Sequence, residues 1–184
     1  MAHISAGVEY GLHCLLYLVE PRDSERHASA RDLADLQGVP AEFVAKLFTK
    51  LQKARLVVAA EGAHGGYRLA RPAHSISVLD VVVAIDGEKP LFECREIRSR
   101  CAIFDGEPPA WATRGVCSIH AVMLEAAACT REVLASRSLA DIAQIVTSKA
   151  SASYPKEVMK WLAERASGPR RAKTSSPKSD GELS

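Results

Sequence analysis

A mainly α-helical chain with one small β-hairpin is what the sequence predicts, and three observations carry that reading. Apolar residues recur at three- and four-residue steps along most of the chain, two of these stretches meet at a glycine-containing turn, and two short β-type runs bracket a glycine-rich turn. The 184 residues, 47% apolar and 25% charged, can fill one domain core and exclude collagen-like, mucin-like or wholly unfolded chains. With a net charge of +2, the composition as a whole points to no partner, so charge has to be read locally.

In the first stretch, Ser5 to Val19, the residues Val8, Leu12, Leu15, Leu16 and Val19 share one helical face, and Pro21 follows its end. Ser29 and Asp32, three apart, suit the start of a second helix running through Leu36, and Gln37-Gly38-Val39-Pro40 forces a turn. Past Pro40, the residues Phe43, Val44, Leu47, Phe48 and Leu51 mark one face of a third helix ending near Ala54. Leu56 to Ala60 reads as a strand, residues 61–66 as its turn, and Tyr67-Arg68-Leu69 as the returning strand. Two helices around a tight turn, followed by a hairpin, describe a winged helix-turn-helix.

Ser77 can cap a further helix, Val78 to Ile85, closed by Asp86-Gly87. Residues 88–116 show no sustained period and hold two of the five cysteines, and a loop of that length is expected to be functional. From Cys117 to about Ala135, Ile119, Val122, Met123, Ala126, Ala127, Thr130 and Leu134 form a long apolar stripe with little of the chain left to cover it, which predicts a dimerisation helix. Ser138 to Val146 and Pro155 to Arg165 read as two shorter helices. The expected organisation is therefore a DNA-binding domain over 1–72, a connecting helix and loop over 73–116, dimerisation and C-terminal helices over 117–165, and a disordered tail over 166–184.

Residues 30–72 carry seven basic side chains (Arg31, Lys46, Lys50, Lys53, Arg55, Arg68, Arg71) against four acidic ones (Asp32, Asp35, Glu42, Glu61), a local +3. Lys46, Lys50 and Lys53 step along one face of the third helix, which in a winged helix enters the major groove. Ala41, Glu42 and Phe43 are candidate base readers and Lys46, Lys50 and His64 candidate phosphate contacts; Arg31 is a further candidate DNA contact, with Gly65, Gly66 and Tyr67 at the wing. The partner expected is double-stranded operator DNA. No apolar run is long enough to span a membrane and the start lacks a signal-peptide pattern, so the expectation is a cytoplasmic protein with no membrane partner. With no nucleophile elbow, phosphate-binding glycine loop or HExxH motif, no enzyme is expected.

The motifs Leu33-Ala34-Asp35-Leu36-Gln37-Gly38-Val39-Pro40, Gly65-Gly66-Tyr67-Arg68-Leu69 and Leu79-Asp80-Val81-Val82, followed by a cysteine-bearing loop and a long helix, resemble the IscR/NsrR (Rrf-two) family of bacterial winged-helix regulators. The resemblance runs from Gly7 to about Val146. It implies a dimeric transcription factor whose DNA affinity depends on an iron–sulfur cluster, or another effector, near the dimer helix. Residues 7–14, 92–98 and 117–121 are most similar to the redox-sensing RsrR type. That likeness implies a [2Fe–2S] cluster, with [4Fe–4S] as the alternative, held by Cys94 and Cys117 of one subunit and Glu9 and His13 of the other. Glu9 and His13, at i and i+4, share a helix face. Cys101 is a possible third ligand or resolving thiol, and His120 a runner-up nitrogen ligand. Cys14 and Cys129, set among apolar residues, are expected to be small core side chains. The same architecture also admits a metal-free regulator controlled by cysteine oxidation, a small ligand or a partner protein.

Overall fold

Three helices make the helix-turn-helix, and each end has a local cause. The computed structural model describes residues 4–19, 27–60 and 65–167. Helix α1 spans Ala6–Leu16 and buries Val8, Gly11, Cys14 and Leu15. It stops three residues short of the expected Val19: Leu18 and Val19 donate to Leu15 and Leu16 in turns, yet Leu18 stays buried, so the apolar period outlasts the helix. Helix α2, Ala30–Gln37, is capped by the Ser29 hydroxyl, which accepts the Asp32 N–H at 3.1 Å. It ends at Gly38, whose φ of +65° favours glycine, and the Val39 N–H then reaches Ala34 O at 3.0 Å. Helix α3, Ala41–Lys53, follows Pro40 and buries Val44, Leu47, Phe48 and Leu51 against Leu33 and Ala34 of α2.

The hairpin pairs β1, Val57–Ala60, antiparallel with β2, Gly66–Leu69, with Val57 opposite Leu69 and Ala60 opposite Gly66. The segment before α2 adds a further bridge to it. Ala28 and Tyr67 exchange both backbone hydrogen bonds, at 3.1 and 2.9 Å. Gly66 is what permits this approach, because a Cβ there would lie 2.6 Å from the Ala28 carbonyl carbon.

Helix α4, Val78–Asp86, opens on a full capping box between Ser77 and Asp80, and Arg71 adds an ion pair to Asp80 at 3.0 Å. Its other end is tied to two helices at once. Asp86 accepts both the Ser5 N–H (2.8 Å) and the Ser5 hydroxyl (2.6 Å), and Lys50 Nζ donates to Ile85 O at 2.6 Å. The expected featureless loop contains two 3-10 turns, Ile97–Arg100 and Ala102–Phe104, and a single-turn helix α5, Ala110–Thr113. These pieces are too short to show a period.

Helix α6, Ser118–Ala135, has no buried residue within the chain. Ile119, Val122 and Val133 are 64%, 61% and 64% exposed. Cys129, expected in a core, is exposed on this helix; apolar neighbours in sequence signal a core only when something packs over them. Helix α7, Leu139–Lys149, starts on a second capping box, Ser138 with Asp141, and turns the chain back. Val78 donates to Arg137 O and Leu139 to Ile76 O, so the starts of α4 and α7 are laced together and Leu139 joins the main core. Helix α8, Tyr154–Ser167, reaches α2: Leu162 packs against the core and Arg165 pairs with Asp32 at 2.9 Å and with Asp35. One core thus takes side chains from Val8 through Leu139.

Candidate nucleic-acid interface and metal centre

The two groups of expected site residues lie on different parts of the fold. On the helix-turn-helix, Arg31, Glu42, Lys46 and Lys53 are exposed, and Ala41 is half-buried at the start of α3. Phe43 lies at the rim of exposure, its ring meeting Tyr10 of α1 edge-on with centroids 5.5 Å apart. Three expected DNA contacts are engaged inside the chain. Lys50 binds the end of α4, the Tyr67 ring packs on Phe48 at 4.8 Å, and Gly66 serves the approach of Ala28. Gly65 is half-buried beside it; His64 lies outside the described residues. These contacts help to hold α3 and the hairpin in place.

Glu9 and His13 are both exposed, on the side of α1 turned away from Val8, Gly11 and Leu15. In contrast, Cys14, one residue on, is fully buried, and burial pushes its thiol up to about 12, which makes it an unreactive core residue. This much of the expectation for Cys14 agrees with the structure.

Cys94 and Cys117 are half-buried, and Arg98 ties together the two segments that bear them. Arg98 donates to both carboxylate oxygens of Glu96, one of them at 2.9 Å, and also to Gly115 O at 2.9 Å. Glu96 follows Cys94 by two residues and Gly115 precedes Cys117 by two, so Arg98 clasps the two cysteine-bearing segments. Its pKa is raised, chiefly by the Glu96 bond, and the same bond lowers that of Glu96. Glu96 itself sits at φ +46°, a conformation that brings its carboxylate back toward Arg98. His120 stacks obliquely on Phe92 at 5.8 Å, beside this clasp, and Cys101 is exposed.

Among the described residues, no three His, Cys, Asp or Glu side chains converge within one chain as a metal-holding group. Within one chain Arg98 joins the segments of Cys94 and Cys117, while Glu9 and His13 lie exposed on α1. The thiols are soft donors of the kind iron–sulfur clusters take, partly accessible and borne on two segments that Arg98 ties together, and in that respect they fit such a group. Arg98 escaped notice in the sequence; a Glu and an Arg two apart, immediately after a cysteine, are the signal that could have found it.

A helix-turn-helix with a wing, an exposed basic face and a long, largely exposed helix has the architecture of a DNA-binding transcriptional regulator. A family model described as Rrf2, iron-dependent transcriptional regulator, matches residues 4–145. The chain is 34% identical over 133 residues to the protein rrf2 of Nitratidesulfovibrio vulgaris, covering 72% of this chain and 81% of that one. It is 39% identical over 64 residues to the HTH-type transcriptional regulator IscR of Vibrio campbellii, 35% of this chain and 38% of the relative. Among solved structures, T. potens IscR matches with a TM-score of 0.59 at 24% identity, covering 83% of this chain and 94% of that one. CymR, the global cysteine regulator of B. subtilis, matches with a TM-score of 0.59 at 23% identity, covering 79% and 98%. At those identities the structures attest the fold. This chain belongs to the Rrf2 family of transcriptional regulators, and it is a DNA-binding protein rather than an enzyme.

Proposed function

We propose that the protein is a cytoplasmic, homodimeric regulator whose affinity for operator DNA is switched by a [2Fe–2S] cluster at the subunit interface. Cys94 and Cys117 of one subunit, with Glu9 and His13 of the partner subunit, would hold it. The observation that carries this reading is the Arg98 clasp, which ties together the segments bearing Cys94 and Cys117, next to a long helix with no fully buried side chain among its residues. The description of the family as iron-dependent supports it. When bound, such a cluster supplies a reversible one-electron change of charge.

The chain's own residues connect the site to the reading helix. Helix α1 presents Glu9 and His13 outward and, between them, Tyr10, whose ring abuts Phe43 at the start of α3. Ser5, at the head of α1, grips Asp86, and Lys50 of α3 grips Ile85 next to it. A shift of α1 therefore acts on α3 directly and through the end of α4. Dimerisation through α6 joins the two halves of the ligand set, and Ile97, Ile103, Trp111 and Val116, all exposed in the loop before α6, extend the apolar surface available to a partner.

Glu9→Ala and His13→Ala test the ligand set: each is expected to change the visible absorption of anaerobically isolated protein and its redox-dependent DNA binding, while thermal stability holds. An unchanged spectrum in both would remove them as ligands. A second reading, metal-free control by cysteine chemistry, is favoured by the exposure of Cys101 between the two clasped cysteines and by the likeness to CymR. Mass spectrometry finding a Cys94–Cys101 or Cys101–Cys117 disulfide that governs DNA binding would select it.

A further inference from the structure

Helix α4 is apolar on two sides, and the core takes only one of them. Val78, Val81 and Ile85 are buried, whereas Leu79, Val82 and Val83, with Asp86 one turn on, share the other side and are half-buried. That second side and α6 line a cavity of about 530 Å³, within the range of about 300–1,000 Å³ that small-molecule sites occupy. The side chains α6 contributes at Ala127 and Thr130 are short, and they leave the space between the two helices unfilled. Ala127 and Leu134 lie about 120° around α6 from Val122 and Val133 at 3.6 residues per turn, so the cavity is separate from the exposed apolar side of that helix.

The mouth of the cavity is charged. Arg131 pairs with Glu88 at 3.3 Å, but their side chains are 54% and 70% exposed, and so open a pair is exchanged at little cost. Lys89 lies on the same rim, and the Asp86 carboxylate is already taken by the Ser5 N–H and hydroxyl. An incoming group thus meets two cations for which only Glu88 competes. We infer that this cavity is an effector site for a small amphipathic monocarboxylate, its apolar body between α4 and α6 and its carboxylate on Arg131 and Lys89 in place of Glu88. The cavity wall is also where the reading unit is fastened: Ile4 and Asp86 line it, Asp86 holds Ser5 ahead of α1, and Lys50 of α3 donates to the adjacent Ile85 O. A ligand lodged against Ile4 and Asp86 therefore acts on α1 and α3 together. The site is independent of the cluster, and only its effect on DNA rests on the helix-turn-helix.

The test titrates octanoate and phenylbutyrate calorimetrically into the full chain, with octanol and octylamine as controls. At least one of the two carboxylates is expected to bind at one per chain and more tightly than the controls. Ala127→Phe, which fills the cavity, is expected to abolish that binding at an unchanged Tm. Arg131→Gln is expected to weaken the carboxylate about 10-fold, as the loss of one charge-assisted hydrogen bond should, and to leave octanol unaffected; this variant carries the test should Ala127→Phe fail to fold. At saturation the ligand is expected to shift the Kd for an operator, selected from random duplexes by the wild-type protein, about 5-fold or more, and not to do so in Ala127→Phe. No binding by either carboxylate, equal binding of octylamine, or binding that survives in folded Ala127→Phe would overturn the site. So would conversion of dimer to monomer by Ala127→Phe, which would make a second copy of the chain the occupant. Binding that leaves the operator Kd unchanged would overturn the effector role; because the calorimetry contains no DNA, that outcome stays distinct from failure of the site.

Discussion

Gly66 and Lys50 illustrate how a residue chosen for a surface role acquires a structural one. Gly66 lies where any side chain would enter the Ala28 backbone, and backbone cannot give way as a flexible side chain can. Gly66→Ala is expected to destabilise by about 1–3 kcal/mol, read as a lower midpoint in denaturant unfolding; a wild-type midpoint would contradict the close approach. In the sequence, that glycine and the lysine at 50 fitted a wing and a phosphate-facing helix equally well, because neither the Ala28 backbone nor Ile85 O is a neighbour that spacing reveals. Asp32 makes a second residue-level case. Burial alone would raise its carboxyl, but the Ser29 hydroxyl and the Arg165 guanidinium outweigh that and hold it below its ordinary value of 3.8. A depressed pKa contributes stability that is present above the ordinary value and lost as pH falls through the lower, folded one. Thermal melts of Asp32→Asn should therefore fall off less steeply than wild type below about pH 4; a parallel acid limb would count against the pairing.

Among the elements, those with both a period and a cap were legible in sequence. Ser29, Ser77 and Ser138 each precede a helix and each accepts the N–H of the aspartate three residues on. Ser77→Ala is expected to cost about 1 kcal/mol, measured by chemical denaturation, since it removes one half of the box that orients α4. An effect near zero would show that Arg71 and Asp80 suffice. The loop between α4 and α6 was not legible because its turns are three or four residues long and its organising contact, Arg98 to Glu96 and Gly115, joins segments far apart in sequence. Likewise, the apolar stripe of α6 predicted a helix that needs a partner but misplaced Cys129, because sequence does not tell a face covered by its own chain from one left open.

For the whole molecule, the exposed side of α6 is the proposed dimer interface. Val122→Glu puts a charge in the middle of that face, where the chain buries nothing, so the monomer's Tm should change little while sedimentation shifts from dimer to monomer. A variant that remains dimeric would place the interface elsewhere. The proposed dimer matters because each chain would supply only part of the proposed ligand set: Arg98 joins the segments of Cys94 and Cys117, whereas Glu9 and His13 face outward from α1. Both halves were offered in sequence by resemblance alone, and the clasp adds a physical link between the segments of two cysteines far apart in the chain. The most direct test of this account is the iron and acid-labile sulfide content, with the absorption spectrum, of protein isolated without oxygen. About two irons and two sulfides per cluster, with thiolate-to-iron charge-transfer bands that vanish in Cys94→Ser and Cys117→Ser, is the expected result. A colourless, iron-free protein that binds its operator with the same affinity whether oxidised or reduced would contradict it.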